Sequence, residues 1–201
     1  MSWKFSQHEP ELELSFGKQV LLFAWEVFKV VVISVAIIVP IRYFLIKPFY
    51  VKGASMEPNF YDKEYLIIDE ISYRFQQPER GDIVVFRYPG DPGQFFIKRV
   101  IGLPGESIRI RNNTITIYND ANPQGVALSE PYLAADAQTQ GNGLVIELAD
   151  DAYYLLGDNR SSSLDSRAFG AVERPAIVGK VLLRGWPLQR IQLFTDSINY
   201  H

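Results

Sequence analysis

The hydrophobic positions of this chain are concentrated near its N-terminus. Residues 1–19 mix charges without an apolar period, whereas residues 30–41 carry no charged side chain and lie inside a longer apolar run. A helix needs roughly 20 residues to cross about 30 Å of hydrocarbon. Lys29 and Arg42 would therefore lie near the two interfaces, with their aliphatic stems in the apolar region. We predict a short tail over residues 1–19 and a transmembrane anchor over residues 20–47.

Two other interpretations of the apolar run, a buried core helix and a cleavable signal peptide, fit less well. A signal peptide should be followed by a small-x-small cleavage site, but the residues after Ile41 are bulky or charged. Pro40 is expected to kink the last turns of the anchor. An aromatic belt is expected where the chain meets the lipid headgroups, formed by Tyr43, Phe44, Phe49 and Tyr50.

Beyond residue 50 the pattern changes to short runs of β-branched and aromatic residues between turn residues, which predicts strands. Glycine, proline and asparagine indicate the turns, including one at residues 88–93. Residues 119–143, rich in Ala, Gln, Asn and Gly, are predicted to be a loop-rich excursion. The candidate strands are residues 65–69, 83–86, 95–101, 107–111, 114–118, 153–156 and 177–183.

Composition then excludes several kinds of chemistry. The chain has no cysteine, which removes disulfides, thiolate zinc sites and cysteine nucleophiles. Its two histidines, His8 and His201, lie near the chain ends, where residues are usually mobile. Neither a Ser-His-Asp triad nor a histidine-based metal site is therefore expected. With 20 basic against 23 acidic residues, the chain lacks the excess of basic residues that is typical of nucleic-acid-binding proteins. We expect no cofactor, no metal and no nucleic-acid partner.

A hydrolase built on this chain must use carboxylates or a serine activated by lysine. Ser55 follows small residues and precedes Pro58, so it can lie exposed on a tight turn. Lys98 falls inside an apolar strand, on the same face as Phe96 and Val100. An ordinary lysine, with a pKa of about 10.4, is neutral in roughly one molecule in a thousand near pH 7.4. Burial among apolar side chains can lower that pKa to about 8. Taken singly, both residues also fit an ordinary turn serine and a sheet-edge lysine.

Several motifs occur together and in a characteristic order. Four of them follow the predicted anchor: GASMEP at 53–58, RGDIV at 80–84, IKRVIGLPG at 97–105 and GDNRSSSLDSR at 157–167. Together with the anchor they resemble the bacterial type I signal peptidases, or leader peptidases, which are Ser-Lys dyad serine proteases. The resemblance covers the anchor and nearly all of residues 48–187.

The resemblance implies a role for several residues. Ser55 would be the nucleophile and Lys98 its general base, with Ser163 hydrogen-bonding and orienting the amine. Asp165 and Arg167 would form an ion pair that shapes the site. Shallow apolar pockets suited to alanine would be lined by Val51, Met56, Phe60, Phe96 and Ile97, although plain core packing explains these five equally well.

Two departures from the family pattern affect the site. Some members carry, two places before the nucleophile, a serine that helps to bind the oxyanion, and this chain has Gly53 there. Backbone N–H groups, including that of Ser55, are expected to do most of that work. In addition, Asn59 and Phe60 replace the commoner Thr-Leu pair, which leaves the shape of the pocket open.

The fold implied is mostly β: a single transmembrane helix followed by an antiparallel β catalytic domain over residues 48–201, with a smaller β subdomain inserted at about 106–152. The function implied is a membrane-bound serine endopeptidase that removes N-terminal signal peptides from exported precursors, after Ala-x-Ala-like sites and through an acyl-enzyme. Its partners would be signal-peptide-bearing precursors and the lipid bilayer, with the enzyme a monomer.

The implied location is a bacterial plasma membrane or a thylakoid membrane, with a cytoplasmic N-terminus and an extracytoplasmic catalytic domain. An apolar surface near Phe49, Tyr50 and Phe60 is expected to enter the membrane. Two other functions remain as alternatives. A self-cleaving Ser-Lys protease of the repressor type would carry a DNA-binding segment in place of the anchor, and a membrane adaptor would use the fold without catalysis.

Overall fold

The N-terminal apolar run forms one helix in the computed structural model, which describes residues 15–40 and 46–194. Helix α1 spans Phe16–Pro40. Its segment Phe16–Val39 is long and apolar enough to cross a membrane, and its large hydrophobic side chains are exposed. A helix that is apolar on all sides is typical of a membrane span or a buried core, and with its side chains exposed α1 fits a transmembrane helix.

The helix boundaries differ from the predicted anchor of residues 20–47. Helix α1 begins at Phe16, and its described part extends to Pro40. Residues 41–45 lie outside the described residues, so the kink at Pro40 stays a prediction. A strand begins at Ile46 and contains Phe49 and Tyr50, and it pairs with the neighbouring strand of residues 65–69. Arg42, Tyr43, Phe44 and the first fourteen residues lie outside the described residues.

Short strands dominate the rest of the described chain. Two short helices, α2 (Ser72–Phe75) and α3 (Ser166–Phe169), and two 3₁₀ turns, Arg174–Ala176 and Leu188–Arg190, interrupt them. The strands are, in chain order, β1 (Ile46–Tyr50), β2 (Tyr65–Asp69), β3 (Ile83–Tyr88), β4 (Asp91–Gly102), β5 (Ser107–Arg111), β6 (Thr114–Asn119), β7 (Asn122–Ala127), β8 (Val145–Glu147), β9 (Ala152–Leu156), β10 (Val172–Glu173), β11 (Ile177–Trp186) and β12 (Gln192–Leu193).

The strands form two antiparallel sheets. The larger has the order β1-β2-β11-β3-β4-β9-β10, with β12 paired to β11, and the smaller has the order β7-β6-β5-β8. The smaller sheet lies in the chain between β4 and β9. The predicted fold class, a mostly antiparallel β structure after one apolar helix, is therefore confirmed.

Three buried clusters stabilise these sheets, because alternate residues of each strand point to one face. One lies beneath the turn after β1 and includes Val51, Met56 and Phe60. A second packs Val84, Phe86 and Val100 of the central strands against α2 and β9. The third joins the two sheets through isoleucines of β5 and β6 and residues of β4 and β9. Strand β4 contributes buried residues to two of the clusters, and its last five residues, 98–102, are all buried.

Prolines account for two of the strands that the pattern did not predict, β1 and β7. Strand β1 contains Pro48 and lies at the edge of the larger sheet, where a missing N–H is tolerated. Strand β7, within the predicted loop of residues 119–143, also contains a proline and forms an edge of the smaller sheet. The turn predicted at residues 88–93 is shorter, because Tyr88 already pairs with Asp91.

Candidate active site

Ser55 lies in a tight turn that follows β1, which we call the nucleophile turn and define as residues 53–60. At its start Gly53 has φ of +85°, a conformation that favours glycine, and its N–H donates to Asp62 Oδ1 at 2.8 Å. Met56 and Phe60 are 1% and 0% exposed and hold the turn against the core. The burial of these two side chains keeps Ser55 at the surface of the core, where it is partly exposed.

Lys98 reaches Ser55 from the middle of β4. Its Nζ lies 2.7 Å from Ser55 Oγ and donates to the carbonyl oxygen of Ile97 at 2.8 Å. The side chain is buried, with the residue only 3% exposed. Burial lowers the pKa of Lys98 from 10.5 to about 8, and the negative charges of Asp165 and Asp158 limit the fall. A substantial fraction of the amine is therefore neutral at mildly alkaline pH.

Asp165 and Arg167 form the ion pair that the resemblance implied. The Arg167 guanidinium donates from Nε to Asp165 Oδ1 and from Nη2 to Oδ2, each at 2.8 Å. The carboxylate also accepts from the N–H of Gly157 at 3.1 Å. Burial alone would raise the pKa of Asp165, but the hydrogen bonds and the charge of Arg167 outweigh it and lower that pKa. The carboxylate thus ties α3 to the start of the loop after β9.

Ser163 lies in the same loop but does not make the expected contact. Its Oγ is buried and makes no hydrogen bond with any described residue, including Lys98. The hydroxyl lies near enough to Asp165 to help lower the pKa of that carboxyl group. It also lies close to Gly157, because a Cβ added there would come within 2.1 Å of the Ser163 Oγ. The residue is therefore at the site, while the hydrogen bond to the amine is absent in this structure.

A second buried ion pair involves Arg99, the residue next to Lys98 in β4. Arg99 Nε and Nη2 donate to Asp158 Oδ1 and Oδ2 at 2.8 and 2.6 Å, and both side chains are almost fully enclosed. The Arg99 guanidinium also stacks on the Tyr132 ring, 3.9 Å from its centroid. Both residues stand in motifs that the sequence analysis quoted, but their pairing was missed, because no local pattern relates residues 59 positions apart.

An apolar cavity of about 280 Å³ opens beside Ser55 and Lys98. Of the five predicted pocket residues, Val51, Phe96 and Ile97 line it. Met56 and Phe60 do not line it, because they are packed in the core beneath the turn. Their predicted assignment to the pocket is therefore wrong. The prediction that Phe60 belongs to a membrane-facing surface is wrong for the same reason. The pattern also missed lining residues from neighbouring strands, namely Phe49, Leu66, Val85 and Phe95.

Carboxylate and imidazole ligands are not gathered for a metal in the described part of the chain. Within residues 15–40 and 46–194, no three or more Asp, Glu, His or Cys residues lie close enough together to hold an ion. What the site does bring together is a hydroxyl, a desolvated amine and an apolar cavity. A hydroxyl beside an amine that can lose its charge is suited to nucleophilic catalysis.

Comparisons with known proteins identify the family of the chain. A probable signal peptidase I-2 from Synechocystis sp. is 38% identical over 178 residues, which cover 86% of this chain and 78% of that protein. Signal peptidase I from Leptolyngbya laminosa is 34% identical, over 83% of this chain and 81% of its own length. Signal peptidase I from Bacillus amyloliquefaciens is 36% identical, over 77% of this chain and 81% of its own length. The family described as signal peptidase, peptidase S26, matches residues 24–186. The chain therefore belongs to the signal peptidase family and is a serine protease.

Proposed function

We propose that this enzyme removes N-terminal signal peptides from exported precursors with a Ser55–Lys98 dyad. The observation that carries the proposal is the 2.7 Å contact between Ser55 Oγ and a lysine amine that is withdrawn from water. The signal peptidase relatives support the substrate class. The identity of the two residues rests on this geometry and on the lowered pKa of Lys98.

The proposed reaction begins with a neutral Lys98. The amine accepts the Ser55 hydroxyl proton while the oxygen attacks the scissile carbonyl carbon, and a tetrahedral intermediate forms. The ammonium then gives this proton to the departing amine, which leaves as the N-terminus of the mature protein, and an ester remains on Ser55. Water attacks the ester with Lys98 again as base, which releases the signal peptide and restores the serine hydroxyl.

Backbone donors are proposed to bind the developing oxyanion. The N–H of Ser55 makes no hydrogen bond with a described residue, so it is available to a substrate oxygen. The N–H of Gly53 is engaged by Asp62, and residue 53 has no side-chain hydroxyl. A donor aimed at the oxyanion is worth about 3 kcal/mol of transition-state stabilisation. We therefore assign the main contribution to the Ser55 N–H.

The cavity supports a preference for small apolar residues before the cut. It lies directly beside Ser55, and Val51, Phe96 and Ile97 close it with apolar side chains. An alanine methyl group gains by leaving water for such a surface, whereas a cationic side chain would lose its hydration beside Lys52 and Lys98, which also line the cavity. We propose that the residues at the first and third positions before the scissile bond enter this cavity, which favours Ala-x-Ala sites.

Helix α1 is proposed to anchor the enzyme in the bilayer, with the N-terminus cytoplasmic and the domain after it extracytoplasmic. The support is the length and hydropathy of Phe16–Val39, together with the exposed apolar side chains along the helix. Signal peptides are themselves apolar segments that enter membranes. An anchored protease acting as a monomer would therefore meet its substrates in the plane of one membrane.

Incubation of the full-length chain in liposomes with a precursor whose signal ends in Ala-x-Ala tests the function. Mass spectrometry is expected to find a mature N-terminus immediately after the second alanine. Ser55→Ala and Lys98→Ala should each abolish cleavage. Matched controls are Ser162→Ala, an exposed serine of the same loop, and Lys180→Ala in β11, and both should cleave normally. Cleavage of the same bond by Ser55→Ala would overturn the dyad, and cleavage elsewhere by the unchanged chain would overturn the specificity.

A further inference from the structure

We propose that Asn59 and Asn159 are positioning residues that hold the Ser55 hydroxyl against Lys98. The proposal rests on the proposed function of Ser55 as nucleophile. The two asparagines join the nucleophile turn to residues 157–160, and we call their hydrogen bonds the asparagine clasp. One asparagine comes from each side, so that the turn and the loop bind each other reciprocally.

Asn159 supplies the half of the clasp nearest to the nucleophile. Its backbone N–H donates to the carbonyl oxygen of Ser55 at 3.0 Å, and its Nδ2 donates to the carbonyl oxygen of Ala54, also at 3.0 Å. The Oδ1 accepts from the Ser161 hydroxyl at 3.2 Å, which sets the direction of the amide group. Two successive peptide groups around Ser55 are therefore held by one residue.

Asn59 supplies the other half from the end of the turn. Its Nδ2 donates to Asp158 Oδ2 at 2.8 Å and to the carbonyl oxygen of Tyr132 at 2.9 Å, so both hydrogens of the amide are used. Asp158 is in turn fixed by its ion pair with Arg99. A threonine hydroxyl has a single hydrogen to donate and cannot replace both bonds. The asparagine at this place therefore has a specific task.

The far side of Asn59 is also fixed, through its main chain. The carbonyl oxygen of Asn59 accepts from Arg184 Nη1 at 2.6 Å and from Arg190 Nη2 at 3.2 Å. Arg184 and Arg190 both pair with the buried carboxylate of Glu64. The end of the nucleophile turn is thus bound to β11 on one side and to Asp158 on the other, which leaves Ser55 little freedom to shift.

The clasp is suited to positioning because other contacts already hold the turn in the fold. Met56 and Phe60 are fully buried in a core cluster, so the turn should stay folded without either amide. What the amides add is the placement of the Ser55 backbone, and with it the 2.7 Å contact between Oγ and the Lys98 amine. A misplacement of about 1 Å in an active site can reduce the rate about 100-fold.

Gly157 permits the close approach on which the clasp depends. A Cβ at residue 157 would come within 2.5 Å of the Ser55 carbonyl oxygen, the same oxygen that accepts from the Asn159 N–H. The loop therefore passes against the backbone of the nucleophile at a distance that a side chain would prevent. This close packing lets the short Asn159 side chain reach Ala54.

Steady-state cleavage of a signal-bearing precursor by single variants tests the clasp. Asn159→Ala is expected to lower kcat about 10- to 100-fold with KM nearly unchanged, since the apolar cavity is untouched. Asn159→Asp should be at least as damaging, because its carboxylate would face the carbonyl oxygen of Ala54. Asn59→Ala should lower kcat in the same way. For the two alanine variants the midpoint of the pH profile of kcat/KM should not move, because neither asparagine contacts the Lys98 amine and neither change alters a charge. Asn159→Asp adds a negative charge near the amine and is expected to raise the midpoint.

The matched control is Asn142→Ala, an exposed asparagine whose side chain accepts from the N–H of Leu144. It should keep full activity. Unchanged kcat in both Asn159→Ala and Asn59→Ala would overturn the clasp. A loss of activity that is no greater than the loss of folded protein, measured by thermal unfolding, would also overturn the clasp. Ser55→Ala is assayed in parallel: if it still cleaves, the proposed function fails, whereas an inactive Ser55→Ala beside fully active asparagine variants refutes the clasp alone.

Discussion

The Nζ of Lys98 and the Oγ of Ser55 lie 2.7 Å apart although 43 positions separate the two residues in the chain. The lysine comes from a central strand of the larger sheet and the serine from a turn after its edge strand. The amine is buried, so its charged form lacks the water that would stabilise it. The contact and the burial together explain how a lysine can act as a base near neutral pH.

Activity should rise with pH through the pKa of Lys98. Because the neutral amine is the proposed base, kcat/KM for a substrate without titrating groups should rise with a midpoint near pH 8 and level off at higher pH. The measurement is a pH series of initial rates between pH 6 and 10. A profile that is flat from pH 6 to 9, or that falls as pH rises through 8, would contradict the role of the amine.

Replacing Lys98 by methionine should stabilise the protein while abolishing activity. Burial lowers the folded-state pKa of Lys98 to about 8 from 10.5, so between these values the unfolded state binds more protons and stability rises with pH. The penalty of burying the ammonium is therefore complete below about pH 8 and absent above about pH 10.5. A shift of this size corresponds to about 3 kcal/mol.

Denaturant unfolding in detergent at several pH values measures this difference. Lys98→Met should exceed the unchanged chain in free energy of unfolding at pH 7, and the gain should shrink as pH rises from 8 to 10.5. A gain that is the same at pH 7 and pH 10.5 would show that packing and not charge is responsible. The exposed-surface control Lys63→Met should show no such pH dependence.

Gly157→Ala should impair catalysis strongly. The added methyl group would come within 2.1 Å of Ser163 Oγ and 2.5 Å of the Ser55 carbonyl oxygen, so the backbone of the nucleophile must shift. We expect kcat to fall about 100-fold and stability to fall by about 1–3 kcal/mol. Gly185→Ala, where a Cβ meets nothing within 4 Å, is the control. Normal kcat in Gly157→Ala would refute the close approach.

Gly53→Ser should not provide a working oxyanion donor. Space is open around residue 53, but its φ of +85° strains any residue with a Cβ. We expect a loss of about 1 kcal/mol or more in stability and no increase in kcat. Thermal unfolding and steady-state kinetics, with Gly185→Ser as control, measure both. A gain in kcat without loss of stability would indicate that the turn accepts the side chain.

Local patterns predicted much of the fold. The strands 65–69 and 107–111 were predicted with the boundaries that the structure has, because each is a short run rich in β-branched residues. Edge strands β1 and β7 were missed, since each contains a proline, which in a sequence indicates the end of a strand. Proline has no N–H to donate and is tolerated at a sheet edge, where no neighbouring strand needs that donor. Their pairing depends on partners far along the chain or on a register that local sequence does not define.

By itself, the sequence determined which groups are available: an apolar segment that can span a membrane, Ser55 after small residues, Lys98 among apolar neighbours, and neither cysteine nor a central histidine. Only the tertiary structure decided that the hydroxyl meets the amine, that Arg99 pairs with Asp158, and that Met56 and Phe60 lie in the core and not in the cavity. The physical reason is that burial and contact are properties of packed sheets, in which strands distant in the chain are neighbours. The pKa of a lysine follows from that packing and not from its place in the chain.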